Sequence, residues 1–151
     1  MNINKISSMS FGAKPITTTL MFDNGKFQYQ RACGKDVDSF VCNMKNPENK
    51  DNMAIEVINS INPKHIEKVE VSSENKNGDV SLFAIERDAD NSQRFHFTEK
   101  SVDGDIVAKS QVFVKKDMFP NSDLAFQNAI TTYMNLVEPK DIKEVMITHV
   151  V

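Results

Sequence analysis

The chain predicts an α+β domain in which an antiparallel sheet carries two helices, written as two pseudo-repeated β-β-β-α-β halves. Three observations lead there. The phrase INSINPKHIEKVEV at 58–71 returns as MNLVEPKDIKEVMI at 134–147, 76 positions later in a chain of 151 residues. It pairs Asn59 with Asn135, Pro63 with Pro139, Lys64 with Lys140, Ile66 with Ile142 and Val69 with Val145. Before each phrase stand β-branched and aromatic runs broken by turn residues, among them Asn24-Gly25 and Asp103-Gly104. Within each phrase a helical stripe runs into a proline and then into a strand.

Each element has its own reason. Residues 1–14 are polar and aperiodic and read as a flexible leader, leaving 15–151 as one α+β domain with pseudo-repeats at about 15–74 and 79–151. ITTTLMF, the turn at Asn24-Gly25 and KFQYQRA predict a hairpin, since Asn-Gly supplies two positive-φ positions. VDSFVCNM at 37–44 is a third strand. From 47 to 61 a helix is expected: Asn46 can cap it, Pro47 fits its first turn, and Ala54, Val57, Ile58 and Ile61 make one apolar stripe. Pro63 is expected to stop it, and HIEKVEV to follow as a strand.

The second half has DVSLFAIER, QRFHFTE and IVAKSQVFVKK as strands. Its helix starts at the Ser122 cap and carries Phe126, Ile130, Tyr133 and Val137 on one face. Pro139 ends it, and IKEVMITHV is the last strand.

Composition narrows the function. The chain is 40% hydrophobic and 26% charged, which suits a folded core, and its net charge of −3 contains no basic stripe of the kind that tracks phosphates. The only adjacent basic pair is Lys115-Lys116. Nucleic acid is therefore not an expected partner. No apolar leader and no run of the roughly 20 apolar residues that cross a bilayer is present. A cytoplasmic protein that does not meet the membrane is expected, with Cys33 and Cys42 as free thiols. Cys42 is expected to point into the core and Cys33 to lie beside the turn at Gly34.

Motifs for chemistry are scarce. The five glycines, at 12, 25, 34, 78 and 104, form no phosphate loop, and no G-x-S-x-G elbow occurs. DADNSQRFHFTE places Asp88, Asp90, Ser92 and Glu99 at positions one, three, five and twelve of a calcium loop. Gln93 takes the sixth position, where that turn needs glycine, and a polar turn entering an alternating strand explains the same letters. His65, His96 and His149 are read as surface residues of three separate strands, and no zinc set is expected from them. Of these, His96 shares its polar face with Arg94 and Thr98.

Three antiparallel strands followed by a helix and a strand, over 80–150, resemble the central part of the GNAT acetyltransferase superfamily. ISSMSFGAKP followed by FVCNMKNPENKDNMAIEVI also looks like the lead-in of some bacterial proteins bearing such domains. The family's acetyl-CoA pyrophosphate loop falls on KKDMFPNSD, which has no glycine and in which Pro120 removes a donor. The resemblance thus implies a degenerate or truncated acetyltransferase-like protein and carries over no catalytic or cofactor residue. A permuted likeness to the paired modules of vicinal-oxygen-chelate proteins implies a metal-dependent enzyme instead, with no ligands placed. The residues themselves favour a non-enzymatic binding or assembly module with no cofactor, its partner another protein or a second copy of itself.

Overall fold

The computed structural model describes residues 14–23, 25–44, 50–88, 94–100, 106–113, 122–135 and 137–150. Among these residues eight strands and two α-helices follow in order: β1 (Pro15–Asp23), β2 (Lys26–Cys33), β3 (Asp36–Asn43), α1 (Lys50–Asn59), β4 (Ile66–Glu74), β5 (Val80–Arg87), β6 (Arg94–Lys100), β7 (Ile106–Phe113), α2 (Ser122–Met134) and β8 (Ile142–Val150). The predicted fold class holds, and every predicted strand is present.

Local chemistry sets the hairpins. Asp23 pairs with Lys26 and Cys33 with Asp36, so each of the first two connections is two residues long. Gly25 and Gly34 take φ of 75° and 61°, which a residue with a Cβ adopts only at a cost. The fourth and fifth strands are joined by a turn that Asn75 staples: its Oδ1 accepts from the backbone N–H of Asn77 and Asp79, at 2.9 and 3.0 Å.

The prolines act differently from expectation. Helix α1 ends at Asn59 and α2 at Met134, and Pro63 and Pro139 each open a separate 3₁₀ turn, Pro63–His65 and Pro139–Asp141. A fixed φ and a missing N–H suit that first position, where no backbone donor is needed. Asn62 caps the first turn by accepting from Lys64 N at 3.0 Å, whereas Glu138 makes no such side-chain bond in the second. Asn46 and Pro47, expected in the first helical turn, lie outside the described residues.

All neighbouring strands are antiparallel, in the order β3-β2-β1-β8-β4-β5-β6-β7. The two strands that follow the prolines, β4 and β8, are therefore neighbours at the centre. Alternation gives one helix-covered face. Leu20, Phe22, Val69, Val71, Ile85, Phe95, Val145 and Ile147 are buried there against Ala54 and Ile58 of α1 and Phe126, Ile130 and Met134 of α2. The other face bears Thr17, Lys68, Glu70, Glu86, Arg94 and His96, set off by one residue from the buried rows. One face packed and one open is the ordinary condition of an antiparallel sheet.

Candidate functional site

Strand β3 ends the sheet on one side. Among the described residues its backbone is paired to β2 alone, through eight successive residue pairs with no register shift. Natural edge strands are blunted by proline, lysine, a bulge or shortness. Strand β3 has charge only at its start, in Asp36 and Asp38: DVDSFVCN is otherwise eight residues long, free of proline and basic residues, and regular. Instead it presents Val37, Phe40 and Val41, which are 54%, 52% and 62% exposed.

Those side chains divide between the faces. Phe40 pairs with Tyr29 and stacks on its ring with centroids 5.0 Å apart, and it meets Phe27 edge-on at 6.4 Å. Val37 and Val41 project from the opposite, open face. Charge is concentrated at one end: Asp36 and Asp38 begin the strand, and Ser39 to Asn43 carry none. The result is an apolar ribbon with an acidic end, its outer side unpaired by any other described strand.

A second group lies on the open face at the start of β6. Asp88 Oδ2 accepts from Arg94 Nε at 2.6 Å, from Arg94 Nη2 at 2.5 Å and from His96 Nε2 at 2.7 Å. Its side chain is 8% exposed. Arg94 and His96 stand two apart on one strand face, as read from the sequence, and Asp88 closes on both from the preceding strand end. A carboxylate with that many charge-assisted bonds ties the end of β5 to the start of β6.

Of the proposed calcium ligands, Asp88 is the carboxylate just described. Glu99 pairs with Phe83 and so belongs to the helix-covered face, five residues along β6 from Arg94, about 17 Å in extended backbone. These two are not brought together. Asp90 and Ser92 lie outside the described residues, as do Lys115, Lys116 and Pro120 of the segment likened to a pyrophosphate loop. Among the described residues no group of three or more His, Cys, Asp or Glu is placed to hold a metal ion.

Two histidines depart from the sequence reading. His65 ends the first 3₁₀ turn and is not in a strand. His149 is 5% exposed, not on the surface. Its Nε2 lies 2.8 Å from Thr18 Oγ1 across the β1–β8 pair, and Arg31 sits opposite Thr18 on β2. Burial, then the Arg31 charge, hold the His149 imidazole below its ordinary pKa. Cys42 also departs: it stands on the edge strand and is half-buried, not in the core. Six positions of β2 separate its partner Phe27 from Cys33, about 20 Å, which no disulfide spans.

A cleft of ≈ 270 Å³ opens between the Asn75 turn and the second 3₁₀ turn. Asp79, Glu138 and Asp141 line it with carboxylates, and Asp79 already receives Asn75 Nδ2 at 3.2 Å. No described helix is long and apolar enough to cross a membrane. Against known proteins, no family model, no curated protein and no solved structure matches the chain. The functional reading accordingly rests on this chain's own residues.

Proposed function

We propose that the protein is a non-enzymatic assembly module that pairs with a second copy of itself through β3. The observation that supports this is the exposed apolar part of the edge: solvent contact at Val37, Phe40 and Val41 is unfavourable, and from Ser39 to Asn43 the strand carries no charge, proline or bulge to blunt it. The charge pattern favours a second copy in antiparallel sense. In the register centred on Ser39, Asp36 and Asp38 of each chain meet the uncharged end of the other, and Val37 meets Val41 on both sides of the axis. Such a pair closes as a two-fold dimer, whereas pairing β3 to β7 of the next chain would grow without end.

One strand pair buries less than the roughly 1,200–2,000 Å² of a stable standard interface, so reversible association is expected. Light scattering after size exclusion, over a concentration series, tests it. The wild type should move from monomer toward dimer as concentration rises, and Val41→Lys should stay monomeric with unchanged circular dichroism. A wild type that remains monomeric at the highest attainable concentration overturns the self-pairing. A thermal shift with acetyl-CoA, calcium, zinc or nickel would overturn the non-enzymatic reading, because a ligand held only by the native state raises its stability.

A further inference from the structure

The strand registers obey a two-fold relation. Pro15 pairs with Val150 and Val80 with Glu74, and Val150 and Glu74 stand 76 positions apart, the spacing of Pro63 and Pro139. The central pair repeats it: Glu70 faces Met146, while Val69 faces Ile147 and Val71 faces Val145. Exchanging each residue of β4 for its counterpart in β8 returns the same set of pairs, so a two-fold axis passes at Glu70–Met146. Carried along the strands, the relation sets Leu20 against Ile85, Phe27 against Phe95 and Tyr29 against Phe97, and in the helices Ala54 against Ile130 and Ile58 against Met134.

It also sets Phe22 against Arg87 and Lys50 against Phe126, where chemistry is exchanged. In the first half the strand supplies the ring and the helix the cation, with Lys50 Nζ 5.7 Å from the Phe22 centroid. In the second the strand supplies the cation and the helix the ring, with Arg87 Cζ 4.5 Å from the Phe126 centroid. Each cation then reaches the other half. Lys50 Nζ donates to the carbonyls of Lys140 and Ile142 at 3.0 and 3.2 Å. Arg87 donates to those of Pro63 and Ile66 at 2.8 and 3.2 Å. Ile66 and Ile142 are themselves counterparts. Two unrelated halves would have no reason to place a cation, a ring and an accepting isoleucine carbonyl at matching positions with the carrier reversed, although among the described residues Arg87 alone adds an ion pair, to Asp123 at 2.8 Å.

We infer that the chain is one β-β-β-α-β unit present twice and paired with itself about this axis, and that its two cation–aromatic clasps are interchangeable versions of one inter-half interaction site. A ring and a cation in contact contribute through the same attraction whichever backbone carries which. Swapping both members of a clasp therefore keeps the contact and the carbonyl donor, whereas changing one member leaves two rings without a donor or two cations in repulsion.

A double-mutant cycle tests this on the full chain. Arg87→Phe and Phe126→Lys should each lower the urea midpoint, and Arg87→Phe with Phe126→Lys, which rebuilds the first half's arrangement, should recover at least half of the summed loss. Phe22→Arg with Lys50→Phe is the reciprocal cycle and should behave alike. Where a single variant does not fold, folding of the corresponding double variant is the expected result. Losses in the double variants equal to or beyond the sum in both cycles, or failure of both to fold, would overturn the inference.

Discussion

His149 illustrates how one residue depends on what surrounds it. Its imidazole is buried beside Thr18, with the Arg31 charge adding to the desolvation, so the folded state binds a proton less readily than the unfolded chain. The stability this gives is complete above the ordinary histidine pKa of about 6.5 and is lost as pH falls through the lower folded value. Urea midpoints at pH 7.5 and pH 5 should fall further for the wild type than for His149→Gln. An equal fall in both would remove His149 as a source of acid sensitivity. Asp88 tests a different balance. Its carboxylate accepts from Arg94 and His96 in a mostly buried position, and Asp88→Ala should cost about 1.5–3 kcal/mol in urea unfolding, as loss of hydrogen bonds to charged groups does. His96 could be singled out from sequence because Arg94 and Thr98 share its alternating face. His149 could not, since THV at a chain end is written the same whether a sheet edge or a sheet centre receives it.

At the scale of elements the local code was legible wherever a period or a turn residue decides. Ala54 and Ile58, like Phe126 and Ile130, recur at helical spacing, and both pairs are buried. Gly34 has φ of 61°, and an added Cβ would meet nothing within 4 Å, so Gly34→Ala should cost only the left-handed backbone penalty of about 1 kcal/mol. Phe95 is fully buried with its ring 5.0 Å from that of Phe126, and Phe95→Ala should cost about 3–5 kcal/mol. Chemical denaturation of the two variants orders these effects, and a larger loss at Gly34 would contradict the packing described. The prolines were placed but misassigned: their residues mark the end of the helical region, yet the 3₁₀ turn between helix and strand has too short a period to be seen in the letters. Edge character in VDSFV was equally invisible, because β-branched and aromatic residues mark a strand without saying how many neighbours it has.

For the whole molecule the central β4–β8 pair has the largest consequence. Each half's last strand lies against the other half's first, so β8 completes β1 and β4 leads into β5. A half cut at the exposed Lys76–Gly78 turn would leave β1 or β5 with one neighbour missing and Ile66, Val69, Ile142 or Val145 uncovered. Neither half should therefore exist as a folded monomer: alone, each should be unfolded or dimeric, and together they should form a one-to-one complex. Analytical ultracentrifugation of the two fragments checks this, and a folded monomeric half would contradict the topology.

The amino-acid sequence by itself determined the class of fold, the number and order of its elements, the hairpin turns at glycine and the apolar stripe of each helix. These follow from backbone sterics and from periods of two and 3.6 residues, which act between near neighbours in the chain. Only the tertiary structure decided that β4 and β8 meet at the centre, that β3 is left at an edge with Val37, Phe40 and Val41 in solvent, that His149 is buried, and that Lys50 meets the Phe22 ring and Arg87 that of Phe126. Those outcomes depend on which strand lies beside which, a choice made by the burial of the whole apolar surface at once and carried by no single stretch of residues.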